Sequence, residues 1–152
     1  MCTFIDPVDH WRESRKQIPV SIFLTDPHFR IATQVTMISP HTSCSLTGLA
    51  LCEAYQDLGV DTLIMHDAPR TQSTHFHRIV SENYGTGRFK GKVRIPENSL
   101  KSEASQMCRI VLLGQRGRIT AEPTLDIVAD DVSIFKTGLF LVLTRLSSLY
   151  YT

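Results

Sequence analysis

No two cysteines in this chain are spaced as Cys-x-x-Cys. The four present, Cys2, Cys44, Cys52 and Cys108, fit neither a zinc ribbon nor the disulfide framework of a small secreted domain. They are read as reduced thiols in an intracellular compartment. Net charge is almost absent: 16 Lys and Arg against 15 Asp and Glu leave +1. That balance excludes the long-range field of a dedicated nucleic-acid or membrane-surface binder. Long apolar runs are missing as well. The longest, Ile134 to Leu146, is broken by Lys136, Thr144 and Arg145 and falls short of the roughly 18 residues that cross a bilayer. The first residues, MCTFIDPVDHWRESRK, hold no apolar h-region, and Asp6, Asp9 and Glu13 make them a poor transit peptide. What remains is one ordinary domain of 152 residues, 42% hydrophobic. A chain of about 150 residues buries roughly two thirds of its unfolded surface, so neither a metal nor a disulfide is required to hold its core.

Within that composition, apolar and polar residues alternate in short runs separated by Pro, Gly, Asn and Asp, which predicts strands joined by turns and an all-β fold. The strands expected are Ile18 to Leu24, Arg30 to Ile38, Thr62 to His66, Thr74 to Val80, Arg88 to Ile95, Arg118 to Ala121 and Leu125 to Val132. Turn signals stand at Asp26-Pro27, Ser39-Pro40, Asp67 to Pro69, Tyr84-Gly85, Pro96 to Ser99, Gly114 to Gly117 and Glu122-Pro123. Starts recur about every dozen residues, a spacing shared by sandwiches and β-solenoids. Two segments stay open between helix and strand. Leu46 to Leu58 carries Leu46, Leu49, Tyr55 and Leu58 near helical spacing, and Lys101 to Leu113 is rich in helix formers yet ends in the apolar run Ile110 to Leu113.

Four groups of residues invite chemistry. His75 and His77 are two apart, which on a strand puts both on one face about 7 Å apart, with His66 a conceivable third ligand for a divalent metal. No carboxylate or Cys completes the set, so the pair is read as two polar side chains on the solvated face of a coil. Arg88, Lys90, Lys92 and Arg94 alternate with Phe89, Gly91, Val93 and Ile95, placing cations on one face and an apolar row on the other. Without interleaved aromatics this row is read as a solvated face balanced by Glu82, Glu97 and Glu103 rather than as a nucleic-acid site. Cys108 beside Arg109 has the makings of an acidified thiol, but one thiolate holds no cluster, and a small buried cysteine is the expectation. Asp126, Asp130 and Asp131 resemble a paired-carboxylate site, with Asp126 and Asp130 on one strand face, but lack a nameable partner and are read as turn and rim solvation.

Five motifs fall in order through the second half. They are Met65-His66-Asp67-Ala68-Pro69 with Ser73; Gly87-Arg88-Phe89-Lys90-Gly91-Lys92-Val93; Glu103-Ala104-Ser105-Gln106; Arg109 with Val111-Leu112-Leu113; and Leu125-Asp126-Ile127-Val128-Ala129-Asp130-Asp131-Val132. Together they resemble the SufB/SufD family of iron-sulfur cluster assembly proteins, in its SufD form, over Ile18 to Ser133. The resemblance implies a right-handed parallel β-helix, in which both ambiguous segments become strand. It divides the chain into a lead-in at 1–17, a core at 18–133 and an atypical apolar C-terminal tail at 134–152.

The same resemblance implies a scaffold subunit rather than an enzyme, working with SufB-like and SufC-like partners, in the plastid stroma of a eukaryote or otherwise in the cytoplasm. No cofactor is expected on this chain alone; a cluster would belong to the assembled complex of the full-length relative. Where the family continues with Cys-x-His-Gly, this chain reads Ser133-Ile134-Phe135-Lys136-Thr137-Gly138. It is therefore read as a truncated piece lacking that interface motif and the SufC-binding region. The alternatives are a metal-dependent enzyme using His66, His75 and His77, and an idle truncated isoform.

Overall fold

The computed structural model describes residues 27–143, and every described element is a strand. In chain order these are β1 (His28–Met37), β2 (Ser43–Cys52), β3 (Asp57–His66), β4 (Gln72–Ser81), β5 (Thr86–Ile95), β6 (Glu103–Leu113), β7 (Arg118–Ile127) and β8 (Ser133–Leu143). Odd strands form one sheet in the order β1-β3-β5-β7 and even strands a second in the order β2-β4-β6-β8. All pairings are parallel. The chain thus alternates between two stacked sheets and climbs one strand per coil, which is a parallel β-solenoid. Each coil advances 29 residues from His28 to Asp57 and from Asp57 to Thr86, and 32 from Thr86 to Arg118.

Period-two alternation selects what goes inside. On β5, Phe89, Val93 and Ile95 are fully buried while Lys90, Lys92 and Arg94 face out. Leu125 and Ile127 of β7 pack partly buried on the same core as Ile64, Val93 and Ile95. A second apolar cluster gathers Ala50, Val60, Ile79, Phe89 and Cys108. Between the two clusters lies a belt of inward polar groups, described below. The segments left open in sequence are strand: Leu46 to Leu58 covers most of β2, a turn and the start of β3, and Lys101 to Leu113 contains β6. Helical spacing at Leu46 and Leu49 is overridden because only alternate residues of β2 reach the interior.

The corners explain how so few glycines suffice. One residue in each described corner takes the left-handed conformation: Tyr55, Tyr84 and Gly114 where the even sheet passes to the odd one, and His41, Arg70, Lys101 and Asp131 where it returns. Only Gly114 does so without the steric penalty of a Cβ, about 1 kcal/mol or more per residue. Stacking offsets part of that penalty at one corner, where the Tyr55 and Tyr84 rings lie 5.1 Å apart and nearly parallel.

Two turn-and-strand expectations are corrected. Glu122-Pro123 is not a turn: Pro123 lies inside β7, in register with Gly91. Among the described residues β7 is the last strand of its sheet, a place where a proline's missing N–H is tolerated. The strand expected at Leu125 to Val132 ends at Ile127, and the chain turns through Val128–Val132 before β8. Strand β8 pairs with β6 from Ser133 to Leu143, so the first part of the 134–152 segment continues the solenoid. The strand expected at Ile18 to Leu24, the lead-in at 1–17 and residues 144–152 lie outside the described residues.

Candidate functional site

The chemistry-bearing side chains gather inside the solenoid rather than on it. Strand β4 turns Ser73, His75, His77, Ile79 and Ser81 inward, so His75 and His77 are buried and the solvated-face reading of the pair is corrected. The reason is register: both share parity with Ile79, whose burial sets which face of β4 looks inward.

His75 is the centre of a chain of hydrogen bonds that crosses between the sheets. Gln106 Nε2 on β6 donates to His75 Nδ1 at 3.3 Å, which leaves the imidazole proton on Nε2, facing Thr62 Oγ1 of β3 at 3.3 Å. The Thr62 hydroxyl in turn donates to the Lys90 carbonyl of β5 at 3.5 Å. Four strands are tied through one neutral imidazole. His77 has no such support: both its ring nitrogens and Gln106 Oε1 are buried without a partner among the described residues. Its ring instead stacks on Phe89, centroids 4.8 Å apart and planes 17° apart, with His75 edge-on at 6.2 Å. Two glycines make this packing possible. A Cβ at Gly48 would stand 2.1 Å from His77 Cε1, and one at Gly91 would stand 2.4 Å from Gln106 Nε2.

His66 is engaged elsewhere. Its Nδ1 lies 2.7 Å from Thr71 Oγ1 and its Nε2 2.8 Å from Ser73 Oγ. Thr71 also meets Ser102 Oγ at 2.9 Å, and Ser99 donates to the His66 carbonyl at 2.5 Å. These buried hydroxyls tie together the corner that leads from β3 to β4. The structure therefore joins His75 to His77 and leaves His66 in a separate network, and among the described residues no three His, Cys, Asp or Glu groups lie close enough to hold one metal ion.

Burial sets the protonation states. It lowers His66, His75 and His77 each to about 4, with the neighbouring His75 adding to the effect at His77. It pushes the Cys108 thiol up to about 11 and raises Cys44 and Cys52 as well. Cys52 Sγ donates to the Thr86 carbonyl at 3.0 Å. Near neutral pH the interior holds uncharged imidazoles and protonated thiols, and a protonated thiol is a poor nucleophile and metal ligand.

The remaining candidates sort by face. Arg88, Lys90, Lys92 and Arg94 do project from β5, but the acids that pair with the last three are on β7 rather than at Glu82, Glu97 and Glu103. Lys90 meets Glu122 at 3.5 Å, and Asp126 takes Lys92 at 3.2 Å and Arg94 at 3.8 Å. Glu82 and Glu97 are exposed at turns, and Glu103 accepts from Gln72 at 3.1 Å. Local sequence does not point to these acids, because the partner strand, 32 residues on, is set by coil length. Asp126 and Asp130 do not share a strand face, since β7 ends between them. Cys108 is buried beside Ala50, Val60, Ile79 and Phe89. Thr62 and Gly48, which shape the His75 and His77 environment, carry no signal in sequence beyond parity with buried neighbours, whereas Gly91 stands in the inward row of β5 and in a family motif.

Comparison with known proteins agrees with this architecture. The family described as SUF system FeS cluster assembly, SufBD core domain, matches residues 18–136. The chain is 34% identical over 99 residues to the chloroplastic protein ABCI7 of Arabidopsis thaliana, covering 64% of this chain and 21% of that protein. It is 26% identical over 99 residues to an iron-sulfur cluster assembly SufBD family protein of Synechocystis, covering 65% and 22%. Over 85 residues it is 26% identical to the iron-sulfur cluster assembly protein SufD of Plasmodium berghei, covering 56% and 6%. It thus spans about a fifth or less of the length of these relatives. With the match running through seven strands and into the eighth of an unbroken parallel register, the chain belongs to the SufBD core family of the SUF iron-sulfur cluster assembly system.

Proposed function

We propose that this chain acts as a scaffold in iron-sulfur cluster assembly, a rigid β-helix body that positions partner subunits and performs no turnover of its own. One observation carries the reading: the family span coincides with an unbroken solenoid whose interior histidines are taken up in hydrogen bonds and ring stacking. Interior side chains tied to one another across both sheets stiffen such a rod. The partners would be a SufB-like subunit and a SufC-like ATPase, the latter contacted through helices outside these 152 residues. The plastid is the proposed compartment where the source is a eukaryote, in keeping with the chloroplastic relative. Any cluster would form in the assembled complex and not on this chain alone.

Co-expression of the tagged chain with SufB-like and SufC-like subunits tests this. The SufB-like subunit should be retained, and the SufC-like subunit should be recovered far better by a version extended with the family's C-terminal region. Loss of both subunits would refute the scaffold reading. Equal recovery of the SufC-like subunit by the two versions would move that contact onto the β-helix.

A further inference from the structure

The two outer faces of the solenoid differ in kind. On the odd sheet, Lys90, Lys92 and Arg94 meet Glu122 and Asp126. The even sheet instead turns outward Leu49 and Leu51 of β2, Phe76 and Val80 of β4, Met107 and Val111 of β6 and Phe135 of β8. Leu49 is 63% exposed, Leu51 62% and Phe135 60%. Beside them Phe76, Val80, Met107 and Val111 are half-buried; parallel sheets are usually covered on both faces, most often by helices, and contiguous exposed apolar residues mark an interaction surface.

Charge narrows what can cover it. Arg78 and Arg109 are register partners at the centre of the face, and both guanidiniums lie over the Phe76 ring, 5.6 and 5.5 Å from its centroid. The ion pairs among the described residues all lie on the odd sheet. Neither arginine of the pair forms an ion pair among the described residues. The nearest acid on β6, Glu103, is six residues away, about 20 Å along the strand. Two cations side by side on an apolar surface complement a carboxylate carried on an apolar segment. A second copy of the chain packed face to face would instead confront Arg78 and Arg109 with the same pair.

We infer that the outer face of the even sheet docks an amphipathic α-helix from a partner protein, its aliphatic stripe on Phe76, Val80, Met107 and Val111 and a carboxylate between Arg78 and Arg109. A helix about 10 Å wide covers two strands about 4.8 Å apart, which places it along β4 and β6.

The test uses two synthetic 18-residue helical peptides with the same leucine stripe, one carrying Glu beside the stripe and one Lys, titrated by fluorescence anisotropy against the full 152-residue chain. The Glu peptide should bind about tenfold more tightly, and the double substitution Arg78→Glu and Arg109→Glu should invert that preference. Val80→Lys with Val111→Lys should weaken both peptides, while Arg30→Glu on the opposite sheet should change neither. Circular dichroism confirms that each variant keeps its strands. Four results would overturn the inference: no discrimination between the peptides, an unchanged preference in the charge-reversed variant, a concentration-dependent dimer that excludes the peptide, or binding only after removal of residues 1–17.

Discussion

The His77 ring lies flat against Phe89, 4.8 Å between centroids, in a slot that exists because position 48 has no side chain. Gly48 and His77 are register partners on β2 and β4, so the imidazole occupies the volume where a Cβ would stand. Gly48→Ala should therefore destabilise the fold by about 1–3 kcal/mol, the usual range for overpacking. Combining it with His77→Ala should recover most of that loss, because the removed ring frees the slot. Urea unfolding of the two single variants and the double variant measures the coupling. Additive losses would show that the clash is relieved elsewhere.

Acid should unfold this protein through its interior histidines. His66, His75 and His77 each fall to about 4 in the folded chain against an ordinary 6.5. Above pH 6.5 both states carry neutral imidazole and the three contribute no pH dependence. As pH falls from about 6.5 toward 4, the unfolded chain takes up protons that the folded chain refuses. Stability should be level above pH 7 and decline below it, by up to about 1.4 kcal/mol per pH unit for each histidine. Urea midpoints at pH 7.5, 6 and 5 test this, and His77→Phe should make the slope shallower by removing one of the three groups. An equal slope in wild type and variant would assign the acid sensitivity to other residues.

Strand identity was legible here wherever alternation was regular, as at Arg88 to Ile95, because one buried row and one solvated row leave a period of two in the sequence. Which row was buried on β4 was not. His75 and His77 look polar in isolation, and inside the solenoid His75 is met by Thr62 and Gln106 from other strands while His77 fits between Phe89 and Gly48. Most corners were legible, since the turn signals at Ser39-Pro40, Asp67 to Pro69, Tyr84-Gly85, Pro96 to Ser99 and Gly114 to Gly117 all fall between strands, but their left-handed residues were not. The left-handed positions are held by His41, Tyr55, Arg70, Tyr84, Lys101 and Asp131 rather than by the glycine or asparagine that signals such a turn. Pro123 misled in the opposite direction, a breaker in sequence placed within the last described strand of its sheet. The family motifs succeeded because they report coil spacing, which no window of local pattern contains.

The buried thiols should be slow to react. Cys108 is 3% exposed and its thiol is pushed up to about 11, so at pH 7.5 both access and thiolate fraction are small. Iodoacetamide should modify Cys108 at least about a hundredfold more slowly than a free cysteine, with the rate rising in urea to that of the unfolded chain. Peptide mapping by mass spectrometry distinguishes it from Cys44 and Cys52. Rapid labelling in native buffer would mean that β6 opens, or that the thiol is reached from the end of the solenoid.

Those same thiols bear on cluster binding, where the expectation is that the isolated chain ligates none. Iron-sulfur clusters are commonly held by about four thiolates, with histidines as occasional substitutes. Here Cys44 and Cys108 sit in different apolar clusters of the interior, and Cys52 is turned to the Thr86 carbonyl. His75 and His66 are committed to Gln106, Thr62, Thr71 and Ser73. Bringing three of these groups to one iron would require strands β2, β4 and β6 to leave their register, and deprotonating Cys108 within the apolar core would oppose it further. Anaerobic reconstitution with iron and sulfide, followed by visible spectra and iron counting on the monomer, should show no stoichiometric cluster. A stable cluster that disappears in Cys108→Ser would reverse this conclusion. It would make the interior of the solenoid a ligand site rather than a structural rod, and with it would fall the proposal that the chain is a scaffold alone.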